Sequence, residues 1–136
     1  MEGGTLIRNT DTVQLTHFNM NILELPYDSM KFRLNLYVVN NGKPGKKLNE
    51  KEIYFTLQKN QLGIYRLALN QRITPTGDFI CTLELIEIFG EIKQDARFTF
   101  SAIIDKKGLI FNKGISLGKW GKIRKYSLCF WLEGKK

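Results

Sequence analysis

The fold class is decided by the stretch Phe32-Arg33-Leu34-Asn35-Leu36-Tyr37-Val38-Val39, in which apolar and polar side chains alternate. Successive side chains of a β-strand point to opposite faces of a sheet, so Phe32, Leu34 and Leu36 share one face. Arg33 and Asn35 lie on the other face, where polar pairs with neighbouring strands would fix the register. The stretch therefore predicts a half-buried strand with an apolar and a polar side.

The same period of two recurs on both sides of this strand. It predicts further strands at Ile53–Leu57, Tyr65–Leu69, Phe79–Leu85, Phe98–Ile104 and Tyr126–Leu132, with short ones at Thr5–Arg8 and Leu109–Phe111. The alternation slips by one residue between Leu15 and Phe18, which indicates a β-bulge or a bend. A second slip occurs at Leu85-Ile86, and beyond it the side chains of Ile86 and Ile88 are predicted to point inward.

Turn-forming residues separate these runs. They are Asn40-Asn41-Gly42, Pro44-Gly45, Pro75-Thr76-Gly77-Asp78 and Lys106-Lys107-Gly108. No long helical pattern is present. Eight to ten short strands with such spacing predict an all-β fold: an antiparallel, jelly-roll-like β-sandwich that forms a single domain over residues 1–136.

Composition narrows the class of protein. The chain has 136 residues, of which 43% are hydrophobic, and a formal net charge of +8. This apolar content argues against intrinsic disorder, and no apolar run approaches the roughly 18 residues of a membrane-spanning helix. Met1-Glu2-Gly3-Gly4 lacks the basic and apolar regions of a signal peptide. We therefore expect a folded domain without a transmembrane segment.

The positive charge is concentrated near the C-terminus. Residues 105–136 hold nine Lys or Arg and two acidic side chains, whereas residues 1–104 hold twelve and eleven. A basic region of this kind fits either an anionic partner or a solvated face that keeps the protein soluble. Both interpretations stay open at this point.

The sequence offers little for catalysis or for metal binding. His17 is the only histidine, and no serine or cysteine stands in a nucleophile motif. Glu84 and Glu87 are interpreted as outward polar residues rather than as the two acids of a glycosidase. Cys81 and Cys129 are either free thiols or a single bridge. We predict a protein that is not an enzyme and has no cofactor or metal.

Trp120 is the strongest candidate for a ligand contact. It lies between Gly118 and Gly121 in a polar stretch, where its ring could stack on a sugar or fold back over the edge of the sandwich. The candidate ligand-binding residues are Trp120, Lys119, Lys122 and Arg124. This basic and aromatic segment lacks an RNA-binding signature, so no nucleic-acid partner is predicted. Trp131 faces either solvent or a partner domain.

Several segments together resemble a known module. They are Tyr27-Asp28-Ser29-Met30-Lys31-Phe32-Arg33-Leu34-Asn35-Leu36-Tyr37, Asn41-Gly42-Lys43-Pro44-Gly45, Gly63-Ile64-Tyr65, Gly77-Asp78-Phe79 and Lys119-Trp120-Gly121-Lys122. The set resembles a β-sandwich module of Bacteroidetes envelope proteins, often found C-terminal to a carboxypeptidase regulatory-like domain. The resemblance implies a jelly-roll-like domain of a longer protein, located in the periplasm or at the cell surface. It brings no catalytic residues.

These observations give two expectations for function. The first is a non-catalytic accessory module of a bacterial envelope protein that binds a glycan or a protein partner at the cell surface. The second is a purely structural domain that supports a neighbouring domain or an assembly through the sheet face bearing Trp131. The sequence leaves the oligomeric state open.

Overall fold

The computed structural model describes residues 1–91, 99–114 and 119–136. Its strands, in chain order, are β1 (Glu2–Ile7), β2 (Gln14–Glu24), β3 (Ser29–Asn40), β4 (Lys43–Lys47), β5 (Ile53–Gln58), β6 (Gly63–Ala68), β7 (Phe79–Phe89), β8 (Thr99–Phe100), β9 (Ala102–Lys113), β10 (Trp120–Leu128) and β11 (Phe130–Lys135). No helix occurs in these three ranges, so none there is long and apolar enough to cross a membrane.

The strands form two antiparallel sheets, which confirms the predicted all-β sandwich. Sheet A has seven strands in the order β10-β9-β1-β7-β3-β4, with β5 also paired to β3. Sheet B has four strands in the order β11-β2-β6, with β8 paired to β2. The chain crosses repeatedly between the two sheets, so sequence neighbours such as β1 and β2 lie in opposite layers.

The main core lies between the sheets and contains the predicted apolar faces. Phe32, Leu34 and Leu36 of β3 are buried, and Phe18 of β2 packs against them from sheet B. The Phe18 and Phe130 rings meet edge to face, with centroids 5.3 Å apart. Burying these side chains stabilises the fold by roughly 2 kcal/mol each.

Both predicted slips in the alternation are β-bulges within strands. Along β11, Glu133 and Gly134 pair with His17 and Leu15 of β2, so Thr16 is an extra residue. The slip before Phe18 is therefore a bulge rather than a loop.

The second slip lies on β7. Lys31 and Phe32 of β3 pair with Glu87 and Leu85, which leaves Ile86 as the extra residue. The side chain of Ile88 packs against the core as predicted. The prediction for Ile86 is wrong, because this bulged residue points outward and is 40% exposed.

Two predicted turns are wrong. Lys106-Lys107-Gly108 lies inside the continuous strand β9. Gly108 is explained there by the close approach of the neighbouring strand β10, and not by a turn. A Cβ atom at Gly108 would lie 2.5 Å from the backbone oxygen of Tyr126. Pro44-Gly45 belongs to edge strand β4. The turn before β4 is Asn41-Gly42, where both residues have positive φ, as a tight two-residue hairpin requires.

Two predicted strands are each divided by a crossing between the sheets. Ser101 separates β8 from β9, and Cys129 separates β10 from β11. Ile104 and Tyr126, predicted to face inward, are consequently 81% and 45% exposed. The two crossings are joined by a hydrogen bond of 2.8 Å from the Cys129 amide to the Ser101 carbonyl. Phe98 of the first predicted strand lies outside the described residues.

Sheet A curls so strongly that its two ends approach each other. Strands β9, β1 and β7 separate β10 from β3, a distance of about 19 Å in a flat sheet. The Trp120 ring of β10 and the Tyr37 ring of β3 nevertheless have centroids 6.0 Å apart. The face of sheet A turned away from sheet B is therefore concave. Ile80 and Phe111 are buried there, outside the main core.

Candidate functional site

The concave face brings together three of the four predicted ligand-binding residues. Trp120, Lys122 and Arg124 alternate along β10 and so share that face. Lys119 is exposed and directly precedes the strand. Within the described part of the chain, the basic side chains of Lys119, Lys122 and Arg124 form no ion pair. Gly118, which also flanks the predicted site, lies outside that part.

Trp120 is half-buried and held by aromatic contacts. Its ring meets Phe111 edge to face at 6.4 Å and Tyr37 at 6.0 Å, both measured between centroids. The Lys113 ammonium lies 5.1 Å from the indole centroid. The indole therefore has a fixed orientation while part of its surface stays accessible, as a stacking platform requires.

The floor of the concave face contains a buried carboxylate, Glu2, whose side chain is only 5% exposed. Its Oε2 accepts hydrogen bonds from Asn35 Nδ2 at 3.0 Å, from the Tyr37 hydroxyl at 2.7 Å and from the Thr82 hydroxyl. Burial and the bond to Glu2 raise the pKa of Tyr37 well above its usual range. The phenol thus stays protonated and serves as a donor.

Asn35 links Glu2 to a second carboxylate. Its Nδ2 also donates to Glu84 Oε1 at 3.1 Å, so one amide nitrogen bridges the two acids. Because a carboxylate only accepts, the amide nitrogen must face both. Asn35 is fully buried, and no described residue forms a hydrogen bond with its Oδ1.

Glu84 is held by two parallel hydrogen bonds from the Arg33 guanidinium. Arg33 Nε lies 3.0 Å from Oε1 and Arg33 Nη2 lies 2.7 Å from Oε2. These bonds lower the pKa of Glu84 and raise that of Arg33. Arg33 Nη1 also donates to the Tyr54 hydroxyl at 3.3 Å. This confirms the prediction that Arg33 and Asn35 form polar cross-strand pairs.

A pocket of about 390 Å³ opens above this floor. It is lined by Met1, Glu2, Arg33, Tyr37, Glu84, Lys113 and Gly114. Tyr37 and Lys113 contact the Trp120 ring as well. The pocket therefore has a hydrogen-bonding floor at Glu2 and Glu84 and an aromatic wall at Tyr37, and the Trp120 ring lies next to it, against Tyr37 and Lys113.

Sequence reasoning missed part of this site. Glu2, Tyr37, Thr82 and Lys113 come from four strands and meet because β9, β1, β7 and β3 are neighbours in sheet A. The one available signal was the polar phase of β3, which carries Tyr37 on the same face as Arg33 and Asn35.

The remaining sequence candidates are placed apart from the pocket. His17 is half-buried beside the bulge at Thr16, and Glu87 is exposed. Cys81 and Cys129 are free, and burial raises the pKa of the Cys81 thiol strongly. The described residues contain no cluster of three potential metal ligands among His, Cys, Asp and Glu.

The outer face of sheet B carries a second polar group. Arg66 binds Glu133 through Nε–Oε2 at 2.6 Å and Nη2–Oε1 at 3.1 Å, and Asn19 Nδ2 donates to the same carboxylate. These bonds lower the pKa of Glu133 to about 2. Trp131 lies on this face and is 39% exposed.

Comparisons of the chain with protein-family models, with curated proteins and with solved structures gave no match. The roles considered below therefore follow from the geometry of the residues and from their chemistry.

Proposed function

We propose that this chain is a non-catalytic binding module that binds a glycan on the concave face of sheet A. The observation that carries the proposal is the half-buried Trp120, which contacts two lining residues, Tyr37 and Lys113, of a 390 Å³ pocket with a polar floor. An aromatic ring offers a surface for the apolar C–H face of a sugar, while convergent polar groups bind its hydroxyls.

The carboxyl groups of the pocket are arranged as acceptors rather than as proton donors. Both oxygens of Glu84 accept hydrogen bonds from Arg33, and Glu2 Oε2 accepts three side-chain hydrogen bonds. Glycoside hydrolysis needs one carboxylic acid that protonates the leaving oxygen. This arrangement favours binding without catalysis.

The proposed location is the periplasm or the surface of a bacterium, within a longer envelope protein. This part of the proposal rests on the resemblance to the Bacteroidetes envelope module alone.

A glycan array followed by affinity electrophoresis tests the proposal. Wild type, Trp120→Ala and the matched control Trp131→Ala are compared for retardation by each polysaccharide that the array identifies. Loss of the stacking platform should weaken retention about tenfold in Trp120→Ala, since one stacking contact is worth about 1.4 kcal/mol. Trp131→Ala should behave as wild type. Equal retention of wild type and Trp120→Ala would remove Trp120 from the site.

A structural role is the second candidate, and the outer face of sheet B favours it. Trp131 is 39% exposed there and Ile64 is 69% exposed, so apolar surface faces outward. This alternative expects no glycan retention by the wild-type chain. It also expects Trp131→Glu, but not Trp120→Ala, to separate the chain from the adjacent domain of the full-length protein in cross-linking.

A further inference from the structure

The polar floor of the pocket has unfilled acceptor sites. An ionised carboxyl group has about four lone-pair sites. Glu84 fills three of them with bonds from Arg33 and Asn35, two on Oε1 and one on Oε2. The side-chain hydrogen bonds to Glu2 all go to its Oε2, so within the described residues no such bond reaches its Oε1. Asn35, whose Oδ1 no described residue binds, is fully buried and does not line the pocket. A ligand that completes this floor must therefore donate hydrogen bonds.

The donor side chains of the floor are directed at the protein's own acceptors. Arg33 donates two parallel hydrogen bonds to Glu84, and its Nη1 donates to Tyr54 and lies 3.6 Å from Glu52 Oε2. The Tyr37 and Thr82 hydroxyls donate to Glu2. The pocket lining carries two carboxylates, Glu2 and Glu84, and two cationic side chains, Arg33 and Lys113, so the charges of these side chains balance. An anionic ligand would add an uncompensated negative charge, which is costly where water is excluded.

A cationic ligand is disfavoured for a different reason. Lys113 lines the pocket, and its ammonium is fixed 5.1 Å from the centroid of the Trp120 ring. A second ammonium entering the pocket would lie close to this charge. The arrangement therefore selects against both signs of charge and in favour of neutral donors.

The free cations of β10 lie away from this floor. Successive residues on one face of a strand are about 6.7 Å apart, so Lys122 and Arg124 lie about 7 and 13 Å from Trp120 along the strand. Lys122 Nζ instead lies over the Phe111 ring, 5.9 Å from its centroid. Lys122 and Arg124 therefore do not decide what the pocket accepts, and Lys113 is the one basic side chain of residues 105–136 among the described lining residues.

We propose that the pocket takes a neutral saccharide unit, whose neighbouring hydroxyls donate to Glu2 and Glu84 while its C–H face lies against the Tyr37 wall and extends onto the adjoining Trp120 ring. This inference rests on the proposed glycan-binding function and specifies its ligand class. Uncharged polyhydroxylated sugars fit the unfilled acceptors, whereas uronic acids and amino sugars do not.

Retention of the whole chain on immobilised polysaccharides tests this specificity. The neutral probes are xyloglucan, mannan and mixed-linkage β-glucan, the acidic probes are polygalacturonate and alginate, and the cationic probe is chitosan. We expect retention on a neutral probe that is equal at about 20 and about 500 mM NaCl, because no ion pair contributes. Lys106→Ala, which removes an exposed cation of the C-terminal basic region outside the site, should leave it unchanged.

Glu2→Gln should weaken retention on the neutral probe about tenfold, the effect of one lost hydrogen bond to a charged group. Its urea unfolding is measured alongside. Even where Glu2→Gln is destabilised, the ligand class is still tested by the wild-type chain, through its selectivity among the probes and the salt dependence of its retention.

Three outcomes separate the two proposals. Retention on acidic polymers alone, lost at high salt, overturns the neutral-sugar inference but leaves Trp120-dependent glycan binding intact. Retention on chitosan alone does the same. Absence of retention on all probes overturns the inference and the proposed function together.

Discussion

The two sheets carry nearly the same polar group in different surroundings. In sheet A, Glu84 accepts hydrogen bonds from Arg33 and Asn35, and in sheet B, Glu133 accepts them from Arg66 and Asn19. Both arginines bind with two parallel hydrogen bonds. The Arg33 and Glu84 side chains are 26% and 27% exposed, whereas those of Arg66 and Glu133 are 56% and 40% exposed.

The curvature of sheet A accounts for this difference. Curling places Tyr37 and Trp120 beside the first group and adds a second carboxylate, Glu2, beneath it. The second group lies on a face that no other strand covers in the described structure. The same kind of arginine–glutamate pair thus lines a pocket in sheet A and lies on an open surface in sheet B. The comparison predicts unequal energetic effects of equivalent substitutions.

The largest effect is expected from Glu2→Ala. Removing this carboxylate leaves the Tyr37 and Thr82 hydroxyls without their acceptor and leaves the Asn35 amide with Glu84 alone, at a cost of about 3 kcal/mol. Urea unfolding followed by circular dichroism measures the loss. Glu91→Ala, at an exposed position, is the matched control and should stay within about 0.5 kcal/mol of wild type. Similar midpoints for both variants would contradict the importance of the buried network.

Arg33→Met and Arg66→Met compare the two groups directly. Arg33→Met leaves the partly buried Glu84 without its cation and should cost about 2 kcal/mol, less than a fully buried pair because both side chains stay about a quarter exposed. Arg66→Met should shift the urea midpoint much less, because solvent screens Glu133. Equal shifts would show that the curvature of sheet A has no energetic consequence for its ion pair.

Much of this architecture could be predicted from the sequence. The alternation in β3 identified Leu34 as a core residue and Arg33 as an outward one, since strand geometry fixes the face of each side chain. The bulge at Thr16 was visible as a one-residue slip, because an extra residue reverses the phase.

The curvature and the crossings could not be predicted. Tyr126 has the apolar phase of a core residue, but β10 ends two residues later and the chain passes to sheet B. The pocket depends on pairing Glu2 with Glu84, residues far apart in sequence. Local patterns do not contain such long-range pairing. Trp120 was found because it is unusual in a polar stretch, whereas Glu2 resembled an ordinary charge near a chain end.

The acid dependence of stability distinguishes the groups further. Hydrogen bonds from Arg66 lower the pKa of Glu133 from 4.5 to about 2, and those from Arg33 lower the pKa of Glu84. A folded-state pKa below the unfolded one gives stability that is present above about pH 4.5 and is lost as the pH falls toward 2. Wild type should therefore lose stability progressively across this window.

Substitution assigns this loss to each sheet. Glu133→Gln should flatten the part of the stability profile between pH 4.5 and 2 that sheet B contributes, as measured by urea unfolding at several pH values. Glu84→Gln should flatten the remainder and also lower stability at neutral pH, since it breaks the hydrogen-bonded group in sheet A. A profile unchanged by either variant would contradict the assignment.

The smallest effect is expected at Tyr54, where the hydrogen-bonded group of Arg33, Glu84 and Asn35 in sheet A reaches solvent. The Tyr54 hydroxyl accepts a hydrogen bond of 3.3 Å from Arg33 Nη1, while its ring lies beneath the Lys31 ammonium at 4.9 Å from the centroid. Tyr54→Phe removes the first contact and keeps the second, and should cost about 0.5 kcal/mol, the low end for an exposed hydrogen bond. A double-mutant cycle with Arg33→Met isolates this term, because the cost of Tyr54→Phe should vanish once the guanidinium is absent. An undiminished cost in the double variant would show that Tyr54 acts through its ring alone, so that the hydrogen-bonded group ends at the Arg33–Glu84 pair.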